Sequence, residues 1–337
     1  MALKFTAKDV KGVVSMNPTP STPDGGDWRQ TNSVDHNQAK KLFETTLASG
    51  VRGYALCGTT GENAGLLWEE KKGYIKTAVE TLNHRGYIFA GATALGTKET
   101  IRQMRELHAL GAEACFVGLP LWQTPTIQNM NDWWKDLAEA CPDIPIMVYS
   151  NSMFFKTTFP NEFWQGVGKY GQTVVTNKIS YQSADLGKDM DAATSRVQFL
   201  PALASIIQRS RDLPGRFHGT WTTQGCPEIY VAMVNAVEAN DSDALAKIEA
   251  DTKTIPGRNP PPADPNTPRS GPESEFAHYN SQVERQGWNA MTYLPGGVGP
   301  ARPPYRDLPD YWVKSIAVWA KATEELRKKY IGVKPAR

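Results

Sequence analysis

Thr173-Val174-Val175-Thr176-Asn177-Lys178-Ile179 reads as a short, β-branched strand of the kind that fills a parallel sheet. Its one charged residue, Lys178, stands near the strand's end. Burying an ammonium there is opposed by desolvation, which lowers the lysine pKa and exposes a nucleophilic amine. Such an amine suits Schiff-base chemistry on a carbonyl. The same sequence also permits a lysine whose stem lies on apolar surface while its head stays in water. The neighbouring strand ends bear on that choice.

Outward from this strand, short apolar runs alternate with amphipathic helical stretches. Strands are predicted near 12–18, 52–57, 87–91, 113–118, 145–149, 173–178, 197–200 and 217–221. Helices are predicted over 35–48, 68–83, 98–110, 129–141, 160–167, 184–194, 203–211 and 227–239. Asp35 and Thr97 are candidate N-caps, and Gly50 and Gly111 candidate stops. Eight βα units in succession predict an α/β fold, a (β/α)8 TIM barrel with a C-terminal helical extension. No Gly-x-Gly-x-x-Gly follows a strand, which counts against a dinucleotide-binding sheet. The barrel is expected over 1–240. Residues 241–337 are expected to form helices near 242–254, 273–286 and 309–330, with a proline-rich crossing loop from Pro256 to Pro272. Trp312, Ile316, Trp319, Thr323 and Leu326 fall near one face of the last helix, suiting packing on the barrel or on a partner subunit.

Composition removes several function classes. A formal net charge of +2 over 337 residues, with no basic run interleaved with aromatics, makes no case for nucleic acid or a membrane surface. The N-terminal residues lack an apolar h-region, so no signal peptide is expected, and no run is apolar enough to span a bilayer. Cys57, Cys115, Cys141 and Cys226 are scattered, and the five histidines form no ligand-spaced cluster. The expectation is a cytoplasmic protein that uses neither metal nor cofactor.

Catalytic groups of such a barrel come from the C-terminal ends of its strands. Lys178 qualifies, as does Tyr149 at the end of Ile144-Pro145-Ile146-Met147-Val148-Tyr149. The turn Gly58-Thr59-Thr60-Gly61-Glu62 follows the second strand, and its hydroxyls and backbone N–H groups could cradle a carboxylate. The turn could equally be simple capping, and Tyr149 a core aromatic with a satisfied hydroxyl. Taken together they bring an amine, a phenol and an anion cradle to one mouth.

In the order and spacing of Gly58-Thr59-Thr60-Gly61-Glu62, Tyr149 and Lys178, the chain resembles the dihydrodipicolinate synthase / N-acetylneuraminate lyase superfamily of pyruvate-dependent class I aldolases. The likeness runs essentially full length. It implies a Schiff base at Lys178, acid/base work by Tyr149, and a pyruvyl carboxylate held by Gly58, Thr59 and Thr60. A homotetramer is implied in the same way.

The chain also departs from the synthases. Trp122, in Pro120-Leu121-Trp122-Gln123-Thr124-Pro125-Thr126, replaces the tyrosine of their proton relay, and an aromatic replaces the arginine that grips a second carboxylate after the fifth strand. Trp221 adds another indole after strand eight. These changes resemble the hydratase-aldolase branch that acts on arylidene-pyruvates in aromatic hydrocarbon degradation. The branch takes substrates of the trans-o-hydroxybenzylidenepyruvate or trans-2'-carboxybenzalpyruvate type. So do the 16–24 stretch, Tyr279-Asn280 and Arg302-Pro303-Pro304-Tyr305. The resemblance then implies that Trp122 and Trp221 flank the aryl ring. Asn280 would position water or a ring substituent, or merely cap a loop, and Lys156 would meet an ortho oxygen or remain solvated. Another pyruvate-dependent lyase or dehydratase, or a silent keto-acid-binding barrel, stays open as an alternative.

Overall fold

A computed structural model describes residues 3–336; the predictions that touch Met1, Ala2 and Arg337 lie outside them. Eight parallel strands form one sheet: β1 Gly12–Ser15, β2 Val51–Leu56, β3 Tyr87–Gly91, β4 Ala114–Val117, β5 Ile146–Asn151, β6 Val174–Ser180, β7 Gln198–Leu200 and β8 Gly219–Thr222. Consecutive strands pair from β1 to β7, and β1 also pairs with β8. The seam between β7 and β8 is drawn together by a parallel bridge of Ala202 to Trp221, with Trp221 N donating to Pro201 O at 3.0 Å. This is a (β/α)8 barrel.

The outer layer consists of α1 His36–Ala48, α2 Trp68–Leu82, α3 Thr97–Ala109, α4 Ile127–Ala140, α5 Asn161–Tyr170, α6 Leu186–Ala193, α7 Ser205–Asp212 and α8 Glu228–Glu238. Four more follow: α9 Ser242–Thr252, α10 Glu275–His278, α11 Asn280–Asn289 and α12 Asp310–Arg327. Asp35 caps α1 by accepting from Gln38 N at 2.9 Å. Gly50 and Gly111 take φ of +94° and +109° just past α1 and α3, where a left-handed residue ends a helix at little steric cost. Thr97 is instead the first helical residue of α3, and Gly96 is its N-cap with no side-chain bond.

Strand burial follows from the double layer. All four residues of β4 are buried, as the continuous apolar run requires. The stripe on α12 is likewise buried from Trp312 to Leu326, and the helix packs on α11 and α8 of its own chain. The helix predicted over 273–286 is two helices meeting at Tyr279, whose φ of −110° and ψ of 16° break the register. No proline or glycine marks that break. The proline-rich segment between α9 and α10 carries no helix or strand. It is pinned by Arg258, whose Nη1 and Nη2 donate to the Glu284 carboxylate on α11 at 2.7 and 3.0 Å. Among the described residues, no helix is long and apolar enough to cross a membrane, and all four cysteines are buried and unpaired.

The mouth of the barrel depends on close backbone packing at the end of β3. A Cβ on Gly91 would lie 2.3 Å from Cys57 O and 2.7 Å from Leu56 O. Gly91→Ala must therefore push β2 and β3 apart at the start of the Gly58–Glu62 turn. It should destabilise the protein by about 1–3 kcal/mol, read as a lower urea midpoint; an unchanged midpoint would show that the mouth yields freely.

Candidate active site

Lys178 lies on β6 opposite Tyr149 of β5 in the strand register. It is 5% exposed, so its amine is held almost wholly out of water. Nζ is 3.9 Å from the centroid of the Trp221 ring and 4.4 Å from that of Tyr149. Burial lowers its pKa to about 7, against a smaller upward pull from the negative charge of Glu284. Near neutral pH a large fraction of the amine is thus unprotonated and nucleophilic.

Tyr149 is buried beside it, its ring 4.7 Å from that of Phe116 and edge-on to Phe155 at 5.2 Å. Burial raises the phenol pKa, while hydrogen bonds with Thr59 and Asn151 act the other way. Thr59 Oγ1 and Tyr149 Oη are 3.1 Å apart, and Asn151 Nδ2 donates to Tyr149 Oη at 3.0 Å. The Asn151 amide is itself oriented, because its Oδ1 accepts from Met153 N at 2.9 Å. Sequence reading passed over Asn151. The available signal was its i+2 position from Tyr149, which puts both on one face of β5.

A cavity of about 360 Å³ opens beside this pair. Tyr149, Gly58 and Thr59 line it, as do Leu121, Phe154, Phe155 and Tyr305. Asn280, the first residue of α11, also lines it, so the two-helix arrangement brings the C-terminal region to the mouth. Lys178 does not itself line the cavity. Its amine is packed between Tyr149, which does, and Trp221, which does not. Thr60 is buried but outside the wall. Trp122 stands 77% exposed on the loop after β4, and Lys156 is exposed with a φ of +51°; neither reaches the wall.

Glu62 carries a function that the motif alone did not suggest. It is buried in the left-handed conformation at φ +55°, and its carboxylate faces two buried guanidiniums. Arg302 Nη1 donates to Glu62 Oε2 at 2.6 Å, Arg302 N donates to Oε1 at 3.0 Å, and Arg285 Nη2 also donates to Oε2. Arg302 further donates to Thr19 O, Pro20 O, Ser33 O and Ser33 Oγ at 2.7–3.1 Å. The turn bearing Thr59 is thereby tied to α11 and to the segment after β1. The partners lie more than 200 residues apart in sequence, so no local pattern announces them.

Removing one member of such a cluster leaves the others charged and unmatched. Glu62→Gln should cost about 3–5 kcal/mol in chemical denaturation. A loss below about 1 kcal/mol would mean that the guanidiniums are satisfied by carbonyls alone.

Comparison with known proteins bears on the family and the fold. The dihydrodipicolinate synthetase family model matches residues 21–156. A trans-O-hydroxybenzylidenepyruvate hydratase-aldolase of Pseudomonas putida is 34% identical over 330 residues, covering 97% of each chain. A trans-2'-carboxybenzalpyruvate hydratase-aldolase of Nocardioides sp. (strain KP7) is 27% identical, covering 97% of this chain and 96% of its own. The solved structure of PhdJ bound to substrate intermediate superposes with a TM-score of 0.87 at 26% identity, covering 98% of this chain and all of that one. A likeness of that extent makes this chain a member of the dihydrodipicolinate synthetase family.

Proposed function

We propose that the protein is a Schiff-base hydratase-aldolase that hydrates an arylidene-pyruvate and cleaves the product to an aromatic aldehyde and pyruvate. The observation that carries this reading is the Lys178 amine, held out of water and near neutrality against Tyr149, beside a largely apolar cavity. The names of the Pseudomonas putida and Nocardioides relatives support it.

Nζ of Lys178 attacks the C2 ketone, and water leaves to give an iminium conjugated with the C3–C4 double bond. Water adds at C4 and C3 takes a proton, giving a 4-hydroxy iminium. Loss of the hydroxyl proton breaks the C3–C4 bond, expels the aldehyde and sends the electron pair to the iminium nitrogen. The resulting enamine is protonated at C3, and hydrolysis returns pyruvate and the free lysine. Tyr149 is the proton shuttle, with its hydroxyl tuned by Thr59 and Asn151. Gly58, Thr59 and Thr60 orient the carboxylate. Leu121, Phe154, Phe155 and Tyr305 receive the aryl ring in place of Trp122 and Trp221, and Asn280 meets its substituent or the attacking water. The four unpaired cysteines support a cytoplasmic setting. The resemblance in Gly58-Thr59-Thr60-Gly61-Glu62, Tyr149 and Lys178 supports a homotetramer.

Borohydride treatment with pyruvate, followed by peptide mapping, tests the core of this reading. The expected result is a reduced adduct on Lys178, absent from Lys178→Ala. Its rate of formation should climb as pH rises through about 7, because the depressed lysine loses its proton there. An adduct elsewhere, or none on folded protein, would end the Schiff-base mechanism.

The cavity wall also bears on the ring. Its one guanidinium among the described residues, Arg302, already donates to Glu62 and four other oxygens, so an ortho carboxylate would meet no free arginine. The ortho-hydroxyl substrate should therefore exceed the ortho-carboxyl one in kcat/KM by about ten-fold or more, the effect of burying an unmatched charge. Equal use of both would refute an uncharged ring site.

A further inference from the structure

We propose that Trp221 is a catalytic residue whose indole face stabilises the positive charge on Nζ while Lys178 is joined to substrate as an iminium. This rests on the Schiff-base reading above and concerns the same nitrogen. Nζ lies 3.9 Å from the indole centroid, well inside the range of cation–π attraction, and the Tyr149 ring lies 4.4 Å away. The indole cannot easily turn away. Its Nε1 donates to Ile179 O, the carbonyl next to Lys178, at 3.1 Å. Its backbone is held at the barrel seam through Pro201 O and Leu203 N.

The surroundings explain why a π face is needed. Desolvation works against any cation on Nζ, and the acid whose charge acts on it, Glu284, is already matched by both terminal nitrogens of Arg258. Above neutral pH the free amine is mostly uncharged, so positive charge develops when the carbonyl oxygen leaves as water and the iminium forms. An interaction that favours the cation then acts on the intermediate more than on the free enzyme. Because its face is taken by Nζ and it does not line the cavity, Trp221 is poorly placed to stack on the aryl ring.

Fluorinated tryptophans test this, since each fluorine weakens the negative face of the indole with little change in shape. The full chain is produced with tryptophan or its mono-, di- and trifluoro analogues. The apparent dissociation constant of pyruvate is then read from the rate of borohydride inactivation against pyruvate concentration. The expected result is a progressive rise, on the order of ten-fold across the series. In Trp221→Phe carrying the same analogues, the fluorine dependence should vanish even though the other tryptophans remain labelled. Trp221→Tyr serves if the phenylalanine variant does not fold. A flat series in the wild-type chain overturns the proposal, as does a slope that persists without Trp221. Absence of any pyruvate adduct in unlabelled protein would instead overturn the Schiff-base reading itself, whereas an adduct on Lys178 with a flat series removes only the role of Trp221.

Discussion

Desolvation of the Lys178 amine is the constraint around which the mouth of the barrel is arranged. A charged lysine inside a parallel barrel is unfavourable, and here burial lowers its pKa to about 7 without removing it from hydrogen-bonded and aromatic neighbours. Tyr149 and Trp221 offer ring faces where a hydrated lysine would have water. Those rings are themselves held: Tyr149 by Thr59, Asn151 and Phe155, Trp221 by Ile179 O. The amine is therefore fixed in position as well as shifted in basicity, and both matter to a nucleophile.

The C-terminal region belongs to the site as much as to the scaffold. Arg285 and Arg302 reach back to Glu62, the last residue of the Gly58–Glu62 turn, and Asn280 enters the cavity wall. Breaking up a carboxylate held between two buried guanidiniums is unfavourable, so the turn that presents Thr59 is coupled to α11 and to the loop that carries Arg302, both outside the barrel. The break at Tyr279 falls between the Ser274 cap, which accepts from Ala277 N, and Arg285, which is directed at Glu62.

Much of this architecture was legible in the residues. Alternating strands and helices predict eight βα units, and the strands lie where apolar runs sit between caps and glycines, as at Asp35, Gly50 and Gly111. Errors concentrate where local signals are weak. Thr97 has the chemistry of a cap but sits one residue inside the helix, and the eighth strand begins two residues later than predicted. Lys178, Tyr149 and the Gly58–Glu62 turn stand out in the sequence because their residue types are unusual at strand ends.

What the chain alone determined, then, is the periodicity that makes a barrel and the presence of an amine, a phenol and a hydroxyl-bearing turn at its C-terminal face. Those are local properties, fixed by hydrophobic spacing and residue chemistry. Tertiary structure decided which groups touch: that Asn151 holds the tyrosine hydroxyl, that Glu62 joins arginines more than 200 residues away, and that Trp221 turns its face to Nζ while Trp122 points to solvent. Such contacts depend on how distant segments pack and on which charges burial forces together, and no window of sequence contains that information.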